Sequence, residues 1–208
     1  PGKRPGVRGR SARTDRAGSD YSAPAGSLAR TGSWRDTAAR NLDIIELAKK
    51  LESESREATP EEQALLAQYV GWGPGEIRNK LFPTGYYGDT KGKVMPSLAE
   101  PSWRPLAKRA LELLTGDELK TALRSTQYAH YTSEEMIRAI WDGVYRLGFG
   151  GGKILEPGMG TGLFAVAAPR EIMEKSHYTG VEMDSTTAAI ARKLMPRQNV
   201  IAGDFVRQ

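Results

Sequence analysis

The stretch that most constrains this chain is ILEPGMGTGLF, residues 154–164. A β-rich run ends in Glu156-Pro157, three glycines alternate as G-x-G-x-G at Gly158, Gly160 and Gly162, and an apolar run follows. A glycine turn between a strand and a helix lets the backbone approach a ligand and aims the start of the helix at its polar groups. A dinucleotide-binding turn spaces its glycines G-x-G-x-x-G, with the pyrophosphate over the helix start. The spacing here argues against a nicotinamide dinucleotide, while the strand, turn and helix predict an α/β core.

The surrounding pattern agrees. GKILE, YTGVEMD and NVIAGDF are three short β-rich runs, separated by helical patterns near 163–175 and 185–195. Strands alternating with helices at this spacing predict βαβ units on a parallel sheet. Upstream, Thr132 and Glu135 predict a capping box. The helix it opens carries Met136, Ile137, Ile140, Trp141, Val144 and Tyr145 on one apolar face and ends near Gly148.

The front of the chain has a different grammar. Leu42, Ile45, Leu47, Ala48 and Leu51 recur at helical intervals between about Asp36 and Glu57. Thr59, Pro60 and Glu62 cap a second helix that Gly71, Gly73 and Pro74 stop, with Tyr69 and Trp72 expected to pack between the two. Residues 74–101 are dense in Gly, Pro and Tyr and predict an extended loop; a helix follows from about Trp103 to Leu114, and Thr115 with Glu118 caps another. The expected organisation is a flexible basic arm over 1–35, an all-helical region over 36–128, and an α/β region over 129–208.

Charge and composition narrow the chemistry. Residues 1–40 hold nine Lys and Arg against three Asp, whereas the rest of the chain is nearly balanced. Residues 1–33 have almost no bulky apolar groups with which to offset the entropy of ordering. Such an arm either contacts nucleic-acid phosphates or is a solvated linker. Tyr86 and Tyr87, beside Lys91 and Lys93, could stack on bases and reach phosphates, against ordinary surface packing. Cysteine is absent and the histidines are His130 and His177, which excludes disulfides and thiol nucleophiles and argues against structural zinc. No run of about 18 apolar residues suggests a membrane helix, and no signal peptide is recognisable. A soluble, cytoplasmic protein is expected.

Four features fit one ligand. Glu156, before the glycines, would repel a pyrophosphate and suit a cationic amino acid. Glu182, ending the second β-rich run, can accept from both hydroxyls of a ribose. Asp204 can accept from an adenine amine, and Phe205 can cover the base. The AHYTS segment places Thr132 and the N–H groups of a helix start where a free carboxylate could dock. Together they describe an amino acid joined to an adenosine, S-adenosylmethionine. The alternative is that these acids are polar strand ends of an unrelated fold and the glycines serve turn geometry.

HYTS, ILEPGMGTGLF, VEMD and GDF resemble the successive motifs of S-adenosylmethionine-dependent DNA adenine-N6 methyltransferases. ATPEEQALLAQYVGWG and AHYTSEEMIRAIWDGVYRLGF are similar to the methylase region of helicase-methylase proteins of phages, plasmids and integrative elements. The resemblance spans roughly residues 36–208. It implies the N-terminal, three-strand half of a Rossmann-like class I methyltransferase core, preceded by the helical region and the disordered arm. It places Tyr131 and Thr132 at the cofactor, Thr132 near its carboxylate. Glu156, Pro157, Gly158, Met159, Gly160 and Gly162 surround the amino-acid part. Glu182 lies on the ribose, Met183 against the adenine face, and Asp204 with Phe205 at the adenine. Met159 stands where many members have a small residue, and is expected to narrow the pocket.

Adenine-N6 methylation in that family also needs an Asn/Asp-Pro-Pro-Tyr/Phe loop, which holds the flipped-out base. No such tetrapeptide occurs in these 208 residues. The expectation is a cofactor-binding portion of a DNA methyltransferase that is inactive by itself, with no catalytic residue assigned. A second chain or a further segment would complete the sheet, and DNA would meet the arm over 1–40, with Lys91 and Lys93. The alternative is an inactive phage or mobile-element scaffold, used for assembly or DNA binding in the bacterial cell or the virion.

Overall fold

The computed structural model describes residues 18–28, 32–72, 75–85, 93–128 and 132–207. Helix α1 (Trp34–Ser53) starts at a capping box in which the Ser33 hydroxyl takes the Asp36 N–H and Asp36 returns a bond to Ser33. Its Leu42, Ile45, Ala48 and Leu51 are buried, as their spacing predicts. Helix α2 (Pro60–Leu66) has the expected Thr59–Glu62 box.

The predicted 74–101 loop is partly ordered. Helix α3 (Gly75–Leu81) is followed by a short antiparallel pair, β1 (Thr84–Gly85) with β2 (Lys93–Val94), and a 3-10 turn at Pro96–Leu98. The glycines and prolines obscured a helical spacing, Ile77 to Leu81, and both residues are buried with Phe82. Phe82 meets Trp72 edge-on at 5.2 Å, so Trp72 packs on this third helix rather than solely between the first two. Tyr86, Tyr87 and Lys91 lie outside the described residues. Helices α4 (Arg104–Leu113) and α5 (Gly116–Tyr128) follow; the Thr115–Glu118 box forms, and Lys49 of α1 clamps it through Glu118 at 2.6 Å and the Leu113 carbonyl at 2.7 Å.

Helix α6 (Glu134–Arg146) is capped one residue later than expected: the Ser133 hydroxyl, not that of Thr132, accepts the Met136 N–H. Its predicted apolar face is only half covered, with Ile137 and Trp141 buried and Met136, Ile140 and Tyr145 exposed.

Strands β3 (Lys153–Pro157), β4 (His177–Glu182) and β5 (Asn199–Ala202) form a parallel sheet in the order β3-β4-β5, with Glu156 opposite Gly180 and Glu182 opposite Ala202. The first crossover is two short helices, α7 (Leu163–Val166) and α8 (Arg170–Glu174), not one. Pro169 separates them because it has no N–H to continue the ladder. The second crossover is α9 (Ser185–Leu194), whose inner face of Ala188, Ile190, Ala191 and Leu194 is buried and joins the core of α1 and α2. This is the α/β, Rossmann-like three-strand unit with a helical region before it.

The arm requires a correction. Residues 18–28 are an ordered strap across the α/β region: Tyr21 N–H donates to the Leu194 carbonyl at 2.8 Å and Ala23 N–H to that of Val166 at 2.7 Å. The strap is held by these backbone bonds together with Ala23, which is buried in the core, and Tyr21 and Leu28, which pack against it, too few apolar positions for composition to reveal. Residues 1–17 lie outside the described residues. Among the described residues no helix is long and apolar enough to cross a membrane.

Candidate functional site

The glycine loop leaves the C-terminal end of β3. Gly158, Gly160 and Gly162 have φ of 66°, 57° and 81°, the left-handed region that disfavours a Cβ. At Gly158 a Cβ would meet nothing within 4 Å, so this part of the loop faces open space. At Gly162 a Cβ would collide with Met195 Cε, so that glycine serves close packing.

Met159 does not narrow the pocket. Its N–H donates to the Val181 carbonyl at 3.1 Å, and its side chain, 4% exposed, turns beneath the loop with its sulfur against Gly180. The extra bulk is absorbed where β4 has no side chain. Between these residues, the Thr161 hydroxyl is fully buried and has no hydrogen-bond partner among the described residues.

Glu182, at the end of β4, turns onto the loop. One carboxylate oxygen accepts the Gly160 N–H at 2.9 Å and the other the Asp184 N–H at 2.8 Å. Asp184 caps α9 through the Thr186 N–H and the Thr187 hydroxyl, and burial raises its pKa. The Gly203 N–H donates to the Glu182 carbonyl at 2.8 Å, which brings the end of β5 alongside. There Asp204 accepts the Val206 N–H at 3.0 Å, and Arg207 stands 3.6 Å from its other oxygen. Met183 and Phe205 are exposed beside these acids, with apolar surface free to meet a base.

Glu156 lies deeper. It is opposite Gly180 in register and accepts the Tyr178 hydroxyl at 2.5 Å. Burial pushes its carboxyl up to about 6, against the Tyr178 hydrogen bond, which lowers it. Burial, followed by the Glu156 charge, raises the Tyr178 hydroxyl above its ordinary value. Glu156 and Tyr178 form the polar part of a depression of about 340 Å³ between α6 and β3, whose wall includes Ile140, Trp141, Leu155 and Phe164.

The predicted residues thus form two groups. Gly160, Glu182 and Asp204 lie at the strand ends and the loop, and Glu156 lies with Tyr178 in the wall of the apolar depression. Pro157 is exposed at the end of β3 and Thr132 is exposed before α6, while Tyr131 lies outside the described residues. Sequence reasoning missed Tyr178, Gly180, Thr161 and Asp184. The signal for the first two was present, because Tyr178, Gly180 and Glu182 alternate along β4 and share one face with Glu156. Among the described residues no three His, Asp or Glu gather as a metal site.

No protein-family model matches this chain, and no curated protein does. Among solved structures, it is similar to a candidate class I S-adenosylmethionine-dependent methyltransferase from Listeria monocytogenes, at 15% identity and a TM-score of 0.31. That alignment covers 82% of this chain and 54% of the other, so this chain spans about half the length of that protein.

Proposed function

We propose that the glycine loop and the three strand ends bind S-adenosylmethionine, and that the chain is the cofactor-binding portion of a methyltransferase. The observation that carries this reading is the Glu182 carboxylate on the Gly160 N–H. A phosphate-binding loop offers such N–H groups to an anion; here a protein carboxylate already occupies one, the Asp184 N–H bonds the same carboxylate, Asp204 follows at the end of β5, and Glu156 lies deeper below the loop. This field suits a ligand bearing an ammonium and a sulfonium, and opposes a pyrophosphate.

The residues present fit that group. Gly158 opens onto free space, Glu156 can receive an ammonium, and each Glu182 oxygen keeps a lone pair for a ribose hydroxyl. Asp204 can accept from an adenine amine while Phe205 and Met183 flank the ring. When bound, S-adenosylmethionine supplies an electrophilic methyl group. The chain's own residues hold the ammonium, ribose and base.

DNA adenine is the proposed methyl acceptor, on the motif resemblance of HYTS, ILEPGMGTGLF, VEMD and GDF, with the basic residues of 1–40 contacting phosphates. The outer edge of β3 pairs with no strand among the described residues and Leu155 beside it is 58% exposed, which supports a partner chain or further segment against the sheet. A second reading is an inactive scaffold that uses the same fold for assembly or DNA binding.

Calorimetric titration with S-adenosylmethionine tests the proposal. Saturable binding is expected, weakened at least about tenfold in Glu182→Ala and in Asp204→Ala, the loss of one charged hydrogen bond. A folded wild-type chain that binds none refutes it and leaves the scaffold reading.

A further inference from the structure

We propose that residues 18–28 are a strap that sets the position of α6 through Glu134 and Arg138 as positioning residues, and with it the position of Thr132, which the motif resemblance puts near the ligand's carboxylate. The ligand part of this inference rests on the cofactor reading above.

The Glu134 side chain is 8% exposed and sits in the first turn of α6, two residues after Thr132. One of its oxygens accepts the Gly26 N–H at 2.8 Å, the other the Leu28 N–H at 2.9 Å. A buried carboxylate that takes two backbone N–H groups more than a hundred residues away in sequence is a long-range clasp. Arg138, one turn on, completes it: Nε pairs with Glu134 at 2.7 Å, one terminal nitrogen donates to the Ala23 carbonyl at 2.8 Å, and the other to the Ala167 carbonyl after α7 at 3.2 Å. One guanidinium therefore joins α6, the strap and the helix that leaves the glycine loop.

The rest of the strap is tied to the opposite flank. Besides the Leu194 and Val166 bonds, Asp20 accepts the Arg197 N–H at 2.8 Å and the Gln198 amide at 2.6 Å, and Gln63 of α2 donates to the Ser19 carbonyl at 2.8 Å. The strap thus spans from the turn between α9 and β5 to the start of α6. Packing of α6 on the α/β unit rests on Ile137 and Trp141, which cluster with Ala167, Ala168 and Ile172, and on the Trp141 indole N–H bond to the Phe164 carbonyl at 2.8 Å, while Met136, Ile140 and Tyr145 are exposed. Ile137, Trp141 and the clasp hold it in place. Freeing the strap loosens the first turn of α6, which begins two residues after Thr132, and the end of α7 together.

The test uses the full chain as wild type, Glu134→Ala, Arg138→Ala, Glu134→Gln and Thr115→Ala. The last removes a helix cap bonded to Glu118 and controls for a general loss of stability. Hydrogen exchange is followed in peptides covering 18–28 and 132–138, and the dissociation constant of S-adenosylmethionine is measured by calorimetry. Expected are faster exchange in both peptides for the two Ala variants at Glu134 and Arg138, and dissociation constants raised about tenfold, within the usual range of coupling between sites. Glu134→Gln keeps one acceptor and falls between, while Thr115→Ala leaves both readouts unchanged. Unchanged exchange in the 132–138 peptide when the strap is released overturns the strap's role. A released strap with wild-type affinity overturns its link to the ligand. Should wild type bind no S-adenosylmethionine, the cofactor reading falls, and the exchange of α6 alone decides for or against the positioning role.

Discussion

Replacing Glu156 by Gln should stabilise the fold and weaken its ligand. The carboxyl is pushed from an ordinary 4.5 to about 6 because burial penalises its charge more than the Tyr178 hydrogen bond favours it. A folded-state value above the unfolded one means that the protonated form is preferred in the fold. Its contribution is therefore complete below pH 4.5 and is lost as pH rises through 6. The difference corresponds to about 2 kcal/mol of destabilisation at pH 7.5. Glutamine has the same shape, carries no charge, and offers an oxygen to the Tyr178 hydroxyl. Thermal melts should place Glu156→Gln about 4–8 °C above wild type at pH 7.5 for a domain of this size, with the gap closing by pH 4.5. Calorimetry at pH 7.5 should show the opposite sign for S-adenosylmethionine, because the ammonium loses its counter-charge. An unchanged gap between pH 4.5 and 7.5, or a less stable variant at pH 7.5, would refute the burial argument. Equal ligand affinity would refute the assigned role.

Two further variants test the packing around the loop and the helical front. In Gly180→Ala the added Cβ would strike the Met159 sulfur and lie 2.8 Å from Met159 Cε and 3.0 Å from Tyr178 Cε1. A loss of about 1–3 kcal/mol is expected from overpacking, read from denaturant midpoints and largely recovered in Gly180→Ala/Met159→Ala. Asn41 is fully buried, donates to the Gly71 carbonyl and accepts the Val70 N–H at 3.3 Å. Asn41→Ala strands both groups and should cost about 2–4 kcal/mol, the penalty of unpaired buried polar atoms; a cost below 1 kcal/mol would show that water replaces the amide.

Periodicity carried most of the fold. The buried faces of α1 and α9, the boxes at Thr59–Glu62 and Thr115–Glu118, and the three strands are local patterns, and local patterns survive folding when tertiary contacts agree with them. The failures share a cause. Helix α3 rests on Ile77, Leu81 and Phe82, too few positions to outweigh the surrounding Gly and Pro. The exposed half of α6 cannot be read from spacing, because an apolar face looks the same whether or not a neighbour covers it. The strap was hidden because hydrophobic patterning reports side-chain burial, whereas Gly26 and Leu28 are fixed by N–H groups reaching one carboxylate across the chain.

The strand-end positions of the candidate residues were legible in the sequence, and their contacts were not. Strand ends are where a parallel sheet collects polar side chains, so Glu156, Glu182 and Asp204 could be assigned to the ends of three neighbouring strands from the sequence alone. Their division of labour depends on register, which sets Glu156 beside Tyr178 under the sheet edge and turns Glu182 onto the loop. The three glycines divide similarly: Gly158 faces open space, Gly160 gives its N–H to Glu182, and Gly162 admits Met195. In a dinucleotide turn the second glycine lets the backbone reach a pyrophosphate, but here the corresponding N–H is already matched by a carboxylate. A pyrophosphate entering this loop must displace Glu182, whereas a ribose can donate its hydroxyls to the free lone pairs of that carboxylate, and the buried Glu156 favours a ligand that also carries positive charge. Phosphate should therefore leave the exchange of the loop amides unchanged, while a cationic amino-acid ligand should slow it.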